Sequence, residues 1–158
     1  MKKNRIHAVA GILAIALVAT FMTATIIVEI VGDKAAVLGV KTAILFALII
    51  LIPSIVIATG TGRSLAASRT SPLLKNKKRR AALIAVIGIV VLVPCAITLR
   101  IFAADSNLGP AFAIVQAIEL AAGIVNLTLL VLNARAGRLL TAARRRQRNS
   151  RASTAATG

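Results

Sequence analysis

The acidic and basic residues of this chain occupy different connections between long apolar segments. The four carboxylates are Glu29, Asp33, Asp105 and Glu119. All but three of the twenty Lys and Arg residues lie in the N-terminal segment, in the connection 61–80 or after Asn133. Basic residues are enriched in the cytoplasmic connections of membrane proteins. The pattern therefore predicts a multi-pass protein of the bacterial inner (plasma) membrane with both termini in the cytoplasm.

Four apolar segments, at about 6–31, 37–60, 81–102 and 111–133, are each long enough to cross a bilayer as a helix, which takes about 20 residues. A helix satisfies its own backbone hydrogen bonds, and hydrocarbon offers no other partners. We therefore predict an all-α fold, an antiparallel bundle of four transmembrane helices within residues 1–133. A basic cytoplasmic tail, 134–158, should follow it, helical as far as Arg146 and disordered at 149–154.

The composition limits the partners of such a bundle. Hydrophobic residues make up 58% of the chain, so much of its surface should face lipid. A net charge of +16 would suggest nucleic acid in a soluble protein. Beside apolar spans, however, basic residues attract anionic headgroups, at about 1 kcal/mol each. We expect the bilayer and its anionic headgroups as partners, with a homo-oligomer or a partner membrane protein possible, and no nucleic acid.

The fourth segment carries a polar face. Gln116, Glu119, Gly123, Asn126 and Asn133 follow spacings that place them on one side of a helix. Glu119 lies about 12 Å inside the outer end, which is deep for a carboxylate. The other side should face lipid, with Leu127, Leu129 and Val131 among its residues.

The first three segments contribute further polar residues at a similar depth. The first has a stripe of mostly small or polar residues, comprising His7, Gly11, Ala14, Val18, Met22, Thr25 and Glu29. Lys41 and Arg100 lie near the outer ends of the second and third segments. We predict a buried polar and ionic cluster of Glu29, Lys41, Arg100, Gln116, Glu119 and Asn126. It is either a structural network or a site for an ion, a proton or a small polar ligand centred on Glu119, and Lys41 is the expected partner of that carboxylate.

Three other residue types invite a functional interpretation. Pro53 and Pro94 each remove a backbone hydrogen bond and are predicted to kink their helices. The single cysteine, Cys95, excludes an intrachain disulfide and multi-cysteine metal sites. His7 could ligate haem b only if a second protomer supplied another His7, since Met22 lies about 22 Å away along the same helix. We expect no cofactor and no metal site.

The stretch Gly62-Arg63-Ser64-Leu65-Ala66, followed by Pro72-Leu73-Leu74-Lys75 and Arg79-Arg80, resembles small bacterial four-span membrane proteins. That resemblance implies a fold but no activity. No phosphate-binding loop, nucleophile elbow or metal-ligand cluster is present, so the sequence favours a protein that is not an enzyme. We expect a non-catalytic interaction or accessory subunit. The first alternative is a small oligomeric transporter or ion- or proton-coupled carrier that uses Glu119, and the second is a membrane redox protein that binds haem or quinone.

Overall fold

The computed structural model describes the backbone of residues 2–65 and 72–157, and side chains within 6–57, 75–142 and at 150, except those of residues 7 and 140. The described residues form helices and contain no strand. Helix α1 is Lys2–Val31 and α2 is Lys34–Leu65. A third rod consists of α3 (Pro72–Val86), a π-helical segment (Ile87–Leu92) and α4 (Val93–Ala104). Helix α5 is Pro110–Thr157.

All four rods are long and apolar enough to cross a membrane. Their apolar stretches have 24, 24, 30 and 30 residues, or about 36 to 45 Å at 1.5 Å per residue. Only 17–22% of the most apolar part of each rod is buried inside the protein. Each rod also carries exposed apolar side chains, such as Ile27, Ile49, Ile89 and Ile114, and so presents surface that is compatible with lipid.

The helices extend beyond the limits predicted from hydropathy. Helix α5 continues through Thr157 and includes segment 149–154, which the composition predicts to be disordered. No Pro or Gly interrupts 138–157, and Ala152, Ala155 and Ala156 favour the helical conformation. Helix α3 begins at Pro72, where the missing N–H of proline would have no helical partner. Residues 66–71 lie outside the described part of the chain.

Two short links join the rods at one end of the bundle, which we call the link end. Between α1 and α2, Asp33 caps the new helix: the Ala36 N–H donates to Asp33 Oδ1 over 2.8 Å. An aspartate at this position satisfies an otherwise unpaired N–H and suits the positive end of the helix dipole. The sequence identifies Asp33 only as one of four carboxylates, and its capping role follows from the structure.

The second link, 105–109, closes α4 with a Schellman motif. The Asn107 N–H donates to the Phe102 carbonyl over 2.9 Å, and the Ser106 N–H donates to the Ala103 carbonyl over 3.2 Å. Ser106 has φ = 54°, the left-handed conformation that this motif requires. Pro110 then starts α5, where its missing N–H would have no helical partner.

Each rod packs on its two neighbours, so the four form a closed ring in the order of the chain. Two apolar cores lie inside the ring. The first contains Ala14, Val18, Leu51, Ile84 and Leu130. The second lies toward the link end and contains Val37, Leu99, Ala103 and Phe112. The small residues Ala14 and Ala103 let the neighbouring backbones approach closely.

The outward face of α5 differs from the one that the sequence predicts. Leu127 and Leu129 pack against the first core and are not exposed. The exposed residues are instead Ile114, Ile118, Ile124 and Val125. Consecutive helical residues are about 100° apart, so Leu127 and Leu129 flank the buried face that contains Asn126 and Leu130 rather than opposing it.

Candidate functional site

A closed triad of polar side chains lies inside the bundle. Lys41 of α2 is fully buried, and its Nζ lies 2.9 Å from Glu119 Oε2 of α5. The same Nζ donates a hydrogen bond to Gln116 Oε1. The Gln116 Nε2 in turn donates to Glu119 Oε2 over 3.2 Å. Each of the three side chains therefore bonds to the other two, as the depth argument anticipates for Lys41 and Glu119.

The position of the triad follows from helical spacing on two facing helices. Lys41 lies four residues after Val37, and Gln116 lies four residues after Phe112. Val37 and Phe112 both belong to the core at the link end. One turn further along, residues i+4 lie on the same faces and meet each other. The triad therefore forms a polar layer directly below that core.

Glu119 is the least buried member of the triad. Its side chain is 13% exposed, whereas that of Lys41 is not exposed at all. It also lines a cavity of about 60 Å³ between α1, α2, α4 and α5, together with Thr25 and Met22 of α1. The carboxylate thus contacts both a fixed cation and a small, mostly apolar space.

Glycine at position 123 lets α1 approach α5 beside this cavity. A Cβ there would lie 3.3 Å from Met22 Sδ. Gly123 lies on the predicted polar face of α5 and Met22 on the predicted stripe of α1, and the structure brings the two together. Thr25 and Val18 of the same stripe are buried.

Two charged residues of the predicted cluster are not part of the triad. Glu29 is exposed, which corrects the prediction that it is buried. It lies two residues before the end of α1, within electrostatic range of Lys41 and Glu119 but without a hydrogen bond or ion pair to either in the described part of the chain. Arg100 is half-buried on α4, and within the described part of the chain no hydrogen bond or ion pair joins it to Glu29, Lys41 or Glu119.

Asn126 lies outside the triad, further along α5. It lies seven residues, or about 10 Å, beyond Glu119 along α5 and is 1% exposed. Its Oδ1 has no hydrogen-bond partner. It lines a second cavity, of about 270 Å³, between α2 and the third rod. The predicted cluster is thus divided into a satisfied triad and an unsatisfied amide.

The two prolines have different local consequences. Helix α2 continues through Pro53, and Ser54 Oγ donates to the Ile50 carbonyl over 2.7 Å beside it. Before Pro94, the third rod widens into the π segment, in which the Val93 N–H bonds to the Gly88 carbonyl five residues earlier. Such widening relieves the clash between a proline ring and the preceding turn.

For the remaining candidate residues, the described part of the chain shows no ligand-binding geometry. Cys95 is a half-buried free thiol on α4. The side chain of His7 lies outside the described side chains, so its proposed haem role stays a prediction. Among the described residues, no three His, Cys, Asp or Glu side chains come together as metal ligands.

The chain was also compared with known proteins. No protein-family model matches it, and no curated protein or solved structure is significantly similar to it. The functional argument therefore rests on the residues and contacts described above.

Proposed function

We propose that this chain is a multi-pass protein of the bacterial inner membrane that acts as a non-catalytic interaction or accessory subunit. Its N-terminus and its C-terminal tail lie in the cytoplasm, and the link end faces the opposite side. The basic connection between α2 and α3 and the basic tail contact anionic lipid headgroups or an acidic partner protein. Four outward-facing apolar helices leave room for self-association or for a partner membrane protein.

The closed triad of Lys41, Gln116 and Glu119 carries this proposal. A buried cation is stable only with a counter-charge and hydrogen bonds in good geometry. Lys41 has both, since Glu119 and Gln116 accept two of its three N–H groups. Polar side chains that bond to one another leave little capacity for a substrate. The arrangement favours a register-setting role between α2 and α5 over catalysis.

One observation favours a carrier as the second candidate. Glu119 lines the 60 Å³ cavity while it pairs with Lys41. A carboxylate that exchanges its lysine partner for a proton or a cation could couple ion movement to a change in helix packing. An assembly of several copies would be needed, because one bundle of four helices encloses little space.

Ion flux in proteoliposomes distinguishes the two candidates. Purified full-length protein is reconstituted with a pH-sensitive dye inside the vesicles, and a proton gradient and a membrane potential are imposed in turn. An accessory subunit should give the same flux as empty vesicles, with or without Glu119→Gln. A flux that appears with the wild type and disappears in a folded Glu119→Gln variant would establish the carrier instead. Asp105→Asn is the matched control, because it removes an exposed carboxylate of the second link, outside the triad.

A further inference from the structure

A groove opens between α2 and the third rod, on the side of the triad away from the link end. Its volume is about 270 Å³, and all but one of its lining residues are apolar. The rim residues Ile52 and Val56 of α2 and Ile89 of the π segment are 37%, 59% and 57% exposed. In a membrane this opening would face the acyl chains, so molecules dissolved in the bilayer could enter it sideways.

The one polar residue of the groove is an unsatisfied amide. Asn126 is 1% exposed, and its Oδ1 has no hydrogen-bond partner. An amide buried without a partner costs on the order of 1–3 kcal/mol in proteins. Water rarely compensates within hydrocarbon. The groove therefore contains a polar group that a bound molecule could satisfy.

The third rod leaves space opposite this amide. Gly88 is the second residue of the π segment, and a Cβ placed on it would lie 4.0 Å from Asn126 Nδ2. Any larger side chain at position 88 would extend toward the amide. The glycine of the π segment therefore leaves space beside Asn126 at the wall of the groove. Isolated π turns frequently occur at functional sites.

We propose that this groove binds a neutral, lipid-like molecule that carries a hydroxyl group. Its apolar body fills the space between α2 and the π segment, and its hydroxyl hydrogen-bonds the Asn126 side chain. A hydroxyl both donates and accepts, so it complements the amide oxygen and the amide nitrogen. A charged headgroup does not fit, because the groove contains no counter-charge.

The dimensions favour a small molecule over a partner helix. Small-molecule sites typically measure about 300–1,000 Å³, and this groove lies just below that range. A helix with its side chains is about 10–12 Å across. A groove of this volume could take one or two side chains from such a helix, but not the helix itself. One aliphatic chain or one ring system is the better match.

Tryptophan fluorescence offers a direct test, because the chain has no Trp or Tyr. Val56→Trp places a single reporter on the rim in the full-length protein, reconstituted in nanodiscs. The probes are a bromine-labelled dodecanol and its methyl ether, which quench Trp at short range and differ only in the hydroxyl. We expect saturable quenching, with the alcohol effective at a roughly threefold to tenfold lower concentration, the range of one hydrogen bond.

Three variants in the Val56→Trp background locate the interaction. Asn126→Leu should remove the preference for the alcohol and retain saturable binding of both probes. Gly88→Leu should abolish saturable quenching by both. Asn133→Leu is the matched control, since it removes another buried amide that does not line the groove, and it should keep the preference. Circular dichroism establishes that each variant remains helical, and Asn126→Leu decides the matter if Gly88→Leu does not fold.

Three results would overturn the proposal. Equal quenching by alcohol and ether in the Val56→Trp parent would remove the role of the hydroxyl. Quenching that rises in proportion to probe concentration without saturation would indicate simple partition into the bilayer. The Trp reporter could also be shielded from both probes in nanodiscs with two copies of the protein but not in nanodiscs with one. That result would show that the groove is a protein interface.

Discussion

Lys41 is a buried cation whose charge must be balanced inside the bundle. Its side chain is fully buried, and its charge is balanced by Glu119 at 2.9 Å. Breaking a buried pair by removing one partner leaves an uncompensated charge and costs about 3–5 kcal/mol. Glu119→Gln should therefore lower the free energy of unfolding by that amount, measured by denaturant titration in a mild detergent.

A second substitution tests whether the loss of stability comes from the unpaired charge of Lys41. Lys41→Met added to Glu119→Gln removes the stranded cation, so the double variant should recover most of the lost stability. Asp105→Asn, which deletes an exposed carboxylate of the second link, should change stability by less than about 0.5 kcal/mol. A double variant as unstable as Glu119→Gln alone would mean that the triad does more than neutralise Lys41.

Part of this site can be predicted from the sequence, because the sequence gives both the helical face of a residue and its depth in the span. Lys41 and Glu119 lie about 11 and 14 Å from the link ends of α2 and α5, so a pair at this depth is predictable, whereas the diagonal position of α2 and α5 across the ring is not. The exposure of Glu29 is not, because it depends on how far α2 and α5 cover the end of α1. The distance of Asn126 from Glu119 follows from their seven-residue spacing on α5. The groove that Asn126 lines involves the π segment, which no spacing in the sequence predicts.

At the scale of elements, the link 105–109 stores conformational strain at Ser106. A non-glycine residue in the left-handed region costs about 1–2 kcal/mol, and glycine normally occupies this position of a Schellman motif. Ser106→Gly should raise the free energy of unfolding by about 0.5–1 kcal/mol after the entropy that glycine adds to the unfolded chain. Thermal unfolding in detergent measures the change.

The control for this prediction is a glycine where the backbone is ordinary helix. Ala117 is exposed within α5, and Ala117→Gly should lower stability by about 1 kcal/mol. The two substitutions therefore have opposite signs although both introduce glycine. If Ser106→Gly also destabilised the protein, the hydroxyl of Ser106 would contribute more than its backbone strain costs.

Helix number and order follow from hydropathy, whereas the exact ends and the internal irregularities do not. Four apolar runs predict four rods, and the structure has four. Their ends extend further because adding residues to an established helix is easier than nucleating a new one, so helices continue into the polar residues of 61–65 and 147–157. Pro94 signals a disturbance in the third rod. Whether it produces a kink or a π segment depends on packing against α2 and α5.

At the scale of the whole molecule, the charge distribution predicts the orientation in the membrane. The link end should face away from the cytoplasm and the tail toward it. We propose single cysteines at Asp105→Cys and Ser150→Cys in a Cys95→Ala background, labelled in intact cells with an impermeant maleimide. Position 105 should react from outside, and position 150 should react only after the cells are opened. Labelling of both positions from outside would contradict the proposed topology.

The basic tail should bind anionic membranes through charge. It carries seven arginines between Asn133 and Gly158 and no carboxylate side chain, and each basic residue near an anionic surface contributes about 1 kcal/mol. A peptide of residues 134–158 should float with vesicles that contain anionic lipid and not with neutral ones, and rising salt should release it. Replacing Arg144, Arg145 and Arg146 with Gln should weaken binding on the order of a hundredfold. Equal flotation with both lipids would indicate apolar insertion of the tail, and no flotation with either would assign its charge to a protein partner.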